Sequence, residues 1–359
     1  MSTSALEAER QLADFEKQFA PIQIEKIFGA TWNSLADGLA LGEFLCGGHH
    51  GDNGTTTWHP TKNDPDGRGI RIVRTILEMF KKGISYLNTQ ENDHADWILK
   101  KLQEVMPSIK MVKLLKYDTP GKSNARKFLM RHLETVEPAI RSLYETEYGI
   151  DDDCLAVYYD SSKVTQLGFS QFPLSEKKGV KTLGGIVKFQ TVENGMIFND
   201  VNAHLKSGEK SPDATVRLKE TAALIKGIAS SCSPEERVII GMDSNSSEMY
   251  RSADDTGFLD EVKKLLIKSS FVETTLKFCE NIKMRHGSGN QPKKFGWFFM
   301  DLIDKIFFRG KGFGCKQVYL ELETFVTYNR VLSPTEIKYL LTVRTNPAVR
   351  KSLHELVKK

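Results

Sequence analysis

Cysteine is scarce: five residues in 359, at Cys46, Cys154, Cys232, Cys279 and Cys315, odd in number and never in a Cys-x-x-Cys pair. That scatter argues against a disulfide framework and against a structural zinc site, and predicts free thiols. Long apolar runs are missing as well. None approaches the roughly 20 residues needed to cross a bilayer, and Met1 to Glu7 lack the basic-then-apolar order of a signal peptide. A cytoplasmic or nuclear setting with no membrane contact is the expectation. Charge of one sign is not in large excess: the net value of +4 is too small to announce a nucleic-acid binder by itself. There is no internal repeat and no low-complexity tract.

With 40% hydrophobic and 27% charged residues, the chain can bury one large core or two or three smaller ones. Residues 2 to 20 read as a polar helix, an arm that ends before Pro21. Ile70, Val73, Leu77 and Phe80 recur at helical spacing and predict a helix with one buried face. A strand follows at Ile84–Leu87, then a polar turn from Asn88 to His94, then a helix around Trp97, Ile98, Leu102 and Val105. Strand-like runs recur at Leu155–Tyr159, Gly185–Gln190 and Met196–Val201, the last two joined by the hairpin signal Glu193-Asn194-Gly195. A helix over 214–229 with Leu218, Ala222, Ile225 and Ala229 on its stripe leads to Val238-Ile239-Ile240, where Gly241 offers a sharp exit before Asp243 and Asn245. A last strand candidate is Lys305–Phe308. Antiparallel hairpins mixed with helices, without a regular βαβ repeat, predict an α+β fold and not a doubly wound parallel sheet.

Short polar groups stand at the ends of these strands: Asn33, Glu91, His204, and Asp243 with Asn245. Singly, each reads as well as a turn residue or a satisfied core histidine. Together they match what hydrolysis of a phosphate ester with a hard divalent ion requires: a carboxylate for the metal, amides to position water or phosphate, an acid to take a proton, and a histidine to stabilise charge. Two basic stretches, Lys100–Arg131 and Lys283, Arg285, Lys293 and Lys294, read as solvated faces or as phosphate-tracking surfaces. Cys46, His49, His50 and His59 fit no standard metal spacing.

The order of the motifs carries a resemblance. Trp32-Asn33-x-Leu35-Ala36, Gln90-Glu91-x-Asp93-His94, Asp152-x-Cys154, His204-Leu205-Lys206-Ser207, Gly241-x-Asp243-x-Asn245 and Asp304-x-Ile306-Phe307 follow one another as in the endonuclease/exonuclease/phosphatase superfamily. Within it the chain most resembles the nocturnin and deadenylase branch. The resemblance implies a four-layer α/β/β/α sandwich of two packed, mainly antiparallel sheets, with a catalytic domain over 29–332 between an N-terminal arm (1–28) and a C-terminal helical segment (333–359).

It also implies an activity, magnesium-dependent phosphodiester hydrolysis, most like that of a 3′-5′ exoribonuclease of the deadenylase type, with manganese as the substitute ion. Its partner would be nucleic acid, RNA before DNA, or a phosphorylated nucleotide. Glu91 would be the principal metal ligand with Asn33 beside it. Asp243 would deprotonate the attacking water, Asn245 would hold it or a phosphate oxygen, and His204 would stabilise the transition state. Lys206, Arg217 and Arg285 would contact substrate phosphates.

One departure stands out. The family's closing Ser-Asp-His, whose histidine pairs with the aspartate represented by Asp304, does not occur after Asp304. His354, the one later histidine, sits in a helical pattern beside Val349, Leu353 and Val357 and reads as structural or exposed. The closing histidine is then expected beyond Lys359; otherwise the chain is a weakened homologue serving as an RNA- or protein-binding scaffold. A small-molecule phosphatase acting on a nucleotide is the alternative within the enzyme class.

Overall fold

The computed structural model describes residues 27–34, 36–40, 57–62, 65–207, 211–245, 265–273, 282–284, 298–300 and 304–309. Strands β1 (Gly29–Asn33), β2 (Tyr86–Asn92), β3 (Ile109–Leu114) and β4 (Cys154–Asp160) make one sheet in the order β1-β2-β4-β3. Strands β5 (Val164–Lys177), β6 (Val180–Thr191), β7 (Ile197–His204), β8 (Val238–Asp243) and β9 (Val272–Glu273) belong to a second sheet. Strands β10 (Ile282–Met284) and β11 (Phe298–Met300) pair with each other, and β12 (Asp304–Arg309) enters the second sheet between β8 and β9. Helices among the described residues include α1 (Asp37–Ala40), α2 (Gly67–Lys81), α3 (Ala95–Val105), α4 (Asn124–Leu133), α5 (Pro138–Leu143) and α6 (Ser211–Ser231).

The expected sandwich is what the chain forms, with both sheets mixed: β1 runs parallel to β2 and β7 parallel to β8, while the other neighbours are antiparallel. Period-two alternation sets its layers. On β2, Leu87 turns outward into a core with Ile76 and Phe80 of α2 and Ile98 of α3, while Tyr86 turns inward to Phe189 and Phe198 of the other sheet. On β8, Val238, Ile240 and Met242 pack under Leu224 and Ile228 of α6. Among the described residues, no helix is long and apolar enough to cross a membrane. Of the N-terminal arm only Ile27 and Phe28 are described, and both pack against the cores; the C-terminal segment, Cys46, His49, His50 and His354 lie outside the described residues. Cys154 and Cys232 are in no disulfide, as expected, and both are buried.

Between the sheets the filling changes from apolar to polar along the strands. Phe198, Asp200, Asn202 and His204 succeed one another on the inner face of β7 by the same alternation. Asn88 of β2 donates to Asp200 at 2.9 Å, and Gln90 donates to Asn202 Oδ1 at 2.8 Å. Asn202 in turn donates to the carbonyls of Thr89 and Ala156. This overturns the polar turn expected from Asn88 to His94, because β2 continues to Asn92. A buried strand tolerates such residues when a facing sheet supplies partners, and sequence polarity does not separate that case from a turn.

Two other expectations are corrected. Gly241 is not a strand exit. It lies inside β8, and a Cβ there would stand 2.5 Å from Asn88 Nδ2 and 3.1 Å from Thr31 Cβ, so glycine is required by the close approach of the two sheets. Gly241→Ala is expected to destabilise the chain by about 1–3 kcal/mol through overpacking, read as a lower urea midpoint with an unchanged slope. On α6 the buried stripe is Ala214, Arg217, Thr221, Leu224 and Ile228, whereas Ala222 and Ala229 of the expected stripe are exposed. Polar residues displaced the pattern: Arg217 donates to the Lys206 carbonyl at 3.2 Å and Glu220 accepts from the Lys206 amide at 2.6 Å, so both support the turn after β7.

Candidate active site

The site assembles from the same end of both sheets. β1 ends on Asn33, and its register sets Asn33 opposite Gln90, one residue before Glu91. A register shift between Thr89 and Asn92 marks a bulge in β2, and Glu91 within it has φ +53, a left-handed conformation uncommon for a side chain of that length. Bulges of this kind re-aim a side chain at a strand end. In the second sheet β7 and β8 run parallel with His204 opposite Asp243, and β12 places Asp304 opposite Asp243 on the other side. Asp243, His204 and Asp304 therefore share one level of one sheet, facing Asn33 and Glu91 from the other.

Asp243 is fully buried, and both its oxygens accept hydrogen bonds. Asn33 Nδ2 donates to Oδ2 across the sheets at 2.5 Å, and the Asn245 amide donates to Oδ1 at 2.8 Å. Asn245, at φ +47, also donates its side chain to the Leu205 carbonyl at 2.9 Å. Glu91 Oε2 accepts from the Ala36 amide at 3.1 Å. His204 Nε2 lies 3.5 Å from Glu91 Oε1 and 3.7 Å from Asp243 Oδ2. One ligand atom from each of Glu91, His204 and Asp243 falls within 4.8 Å of the other two.

A buried ionic network behind the site ties together the segments that follow Asn33 and Glu91. Arg68 donates to the Ser34 carbonyl at 2.7 Å and stands 3.6 Å from Asp37, which accepts from Tyr144 at 2.8 Å and meets His94 at 3.4 Å. The Asp37 amide donates to Asp93 at 2.9 Å. Burial pushes the Asp37 carboxyl up, but His94, Arg68 and Tyr144 outweigh it and hold the group below the usual carboxylate range. Asp93 is driven well above that range, first by burial and then by Asp153, Asp37 and Glu91.

The chain is similar to solved proteins of the endonuclease/exonuclease/phosphatase family. The human nocturnin catalytic domain with bound sulfate matches at 15% identity and a TM-score of 0.48, covering 77% of this chain and 80% of that one. ANGEL2, a 2′,3′-cyclic phosphatase in complex with adenosine-2′,3′-vanadate, matches at 12% identity and 0.47, covering 78% and 82%. A family protein from Bacteroides thetaiotaomicron matches at 16% identity and 0.42, covering 70% and 79%. No family model and no curated protein matches the sequence.

The remaining site expectations divide. Lys206 is exposed two residues after His204, with its ammonium 3.6 Å from Asp213. Arg217 is buried and spends a hydrogen bond on the Lys206 carbonyl at 3.2 Å. Arg285 lies outside the described residues, and of Asp304 only the backbone position is described. In the basic stretch Lys100–Arg131, Lys101 pairs with Glu104, Lys113 with Asp96 and Asp151, and Lys116 with Asp153. His59, from the rejected metal cluster, is buried with its ring 6.1 Å from that of Tyr144.

Sequence reasoning missed two residues. Lys116, after β3, donates to Asp153 at 2.7 Å and lies 2.8 Å from His204 Nδ1, behind the site. Asp153 is the unspecified position of the Asp152-x-Cys154 motif and has φ +55. Its signal was the third acid of Asp151-Asp152-Asp153 directly before an apolar strand; Lys116 was lost among many lysines.

Proposed function

We propose that the chain is a divalent-metal-dependent phosphoester hydrolase acting on RNA phosphodiester bonds, as a 3′-5′ exoribonuclease of the deadenylase type. The observation that supports this reading is the convergence of Asn33, Glu91, His204 and Asp243 from four strand ends, in the motif order read from the sequence. The donors fit a hard cation: Glu91 offers a carboxylate oxygen and Asn33 an amide oxygen at a buried end of the sandwich, with an Asp243 oxygen within 4.8 Å of that of Glu91 for a water. Glu91 and Asn33 would hold magnesium, or manganese in its place. Bound there, the ion would neutralise charge on phosphoryl oxygens.

The chain's own residues have separate tasks. Asp243, fixed through both oxygens, takes the proton of the attacking water. Asn245 orients that water or a phosphate oxygen, and His204 stabilises charge developing on the phosphoryl group. Lys206 and Arg285 are assigned to substrate phosphates, Arg217 to the turn that presents Lys206, and Asp304 to the sheet position beside Asp243.

Magnesium is expected to raise the Tm of the native chain and not that of Glu91→Ala. At a hundredfold excess over Kd the gain is about 2.7 kcal/mol, or a few degrees, read by thermal shift. In the activity assay, magnesium-dependent shortening of a poly(A) oligonucleotide is the expected product. Faster turnover of a phosphorylated dinucleotide would move the substrate to small nucleotides. No product from poly(A), single-stranded DNA or that dinucleotide, together with no magnesium shift, would favour the scaffold reading and end this one.

A further inference from the structure

The contact between Lys116 and His204 has a consequence for which nitrogen of His204 carries a proton. A lysine ammonium has three N–H donors and no acceptor. Placed 2.8 Å from Nδ1 of His204, it makes that nitrogen the acceptor. The imidazole then keeps its one proton on Nε2, the nitrogen that faces Glu91 at 3.5 Å and Asp243 at 3.7 Å. We infer that Lys116, anchored by Asp153, is a positioning residue that locks His204 as an Nε2–H donor, so that His204 offers the site a hydrogen bond and is not a metal ligand.

The surroundings support the lock. Lys116 is buried between Asp153 and His204, with its ammonium 5.6 Å from the Tyr117 ring centroid. Burial alone would favour the neutral amine, but Asp153 outweighs it and keeps the group charged. Backbone bonds fix the segment: the Leu183 amide donates to the Lys116 carbonyl at 2.8 Å, the Asp118 amide donates to the Lys181 carbonyl at 3.1 Å, and Tyr117 forms a bridge with Thr182. The Lys116 backbone is therefore tied to the tip of β6, on the sheet that also carries His204. On the other side of the ring two carboxylate oxygens, Glu91 Oε1 at 3.5 Å and Asp243 Oδ2 at 3.7 Å, favour a proton on the Nε2 that faces them. An unprotonated Nε2 in that place would set a lone pair against two anionic oxygens. Of the three groups Glu91, His204 and Asp243, His204 is thus a hydrogen-bond donor, and the two carboxylates are left as the oxygen groups of the site.

This assignment deepens the proposed hydrolase site and rests on that reading for its use, but its test needs neither metal nor substrate. Long-range ¹⁵N–¹H NMR of the full chain labelled at histidine nitrogen reads the tautomer, and His204→Gln assigns the signals by their loss. The expected spectrum has an unprotonated, downfield Nδ1 and a protonated Nε2 for His204. In Lys116→Met those signals should move to the averaged values of an unlocked ring, and Lys116→Arg should restore the native pattern. A protonated Nδ1 in the native chain, whether as the other tautomer or as an imidazolium, overturns the inference; so does an unchanged spectrum in folded Lys116→Met. Should Lys116→Met not fold, the native spectrum and Lys116→Arg decide. An inactive chain with the locked tautomer would sink the hydrolase reading and leave the lock standing, and an active chain without it would do the reverse.

Discussion

Asp243→Asn is expected to lower kcat toward a magnesium-dependent phosphoester substrate by about 10²–10⁴-fold, the usual contribution of a positioned general base, with a much smaller change in KM. The substitution keeps the shape of the side chain and removes its basicity. Its structural cost is bounded by geometry. Asp243 accepts through Oδ2 from Asn33 and through Oδ1 from the Asn245 amide, and an asparagine can accept only through one of its two terminal atoms. One donor is left facing an NH₂ group, which costs about 1–3 kcal/mol of stability. A folded variant with wild-type kcat would show that Asp243 does not handle the proton, and the assignment of water activation to this strand end would fail. Steady-state kinetics beside a urea melt separates the two effects.

The second large effect concerns stability. Asp200 is fully buried between the sheets, with Asn88 as its hydrogen-bond donor and no hydrogen-bond partner for Oδ2 among the described residues. Burial pushes its carboxyl up from 3.8 to about 8, the Asn88 bond pulling the other way. Across that window the folded chain holds a proton that the unfolded chain has released, so stability falls as pH rises and levels off above the folded value. By linkage the loss at neutral pH is roughly 4 kcal/mol. Asp200→Asn, which carries no charge, should abolish this slope. Its Tm should match that of the native chain near pH 4 and exceed it by several degrees near pH 8. Parallel Tm curves across that range would show that Asp200 is solvated or paired in a way that removes the penalty.

Both residues lie on strands legible in the sequence. Val238-Ile239-Ile240 and Leu155–Tyr159 are runs whose branched and aromatic side chains suit a buried pleat, and Asn194-Gly195 announces the hairpin between β6 and β7. What lay at the strand ends was legible too: Asn33, Glu91, His204 and Asp243 are brought together, as the motif order implied. The inner filling was not legible. Asn88 and Gln90 read as turn residues and nothing in the chain marked Asp200 or Asn202 as their partners; only pairing across the sheet gap makes all four core residues. Lys116 was invisible for a related reason, since a lysine in a basic stretch carries no sign that it will be buried between an aspartate and a histidine.

By itself the sequence determined β4, β6, β7, β8 and β12, the helices α2, α3 and α6, the α+β class and the identity of the groups at the strand ends, because these follow from alternation, turn chemistry and residue type along a short stretch of chain. The tertiary structure decided the rest: that β2 continues through its polar residues, that Gly241 is needed for close approach, that Arg217 supports a turn, and that Lys116 meets His204. Each of these depends on what stands opposite a residue across more than a hundred positions or in another layer, and the free energy of a buried polar group is set by that partner, not by its neighbours in the chain.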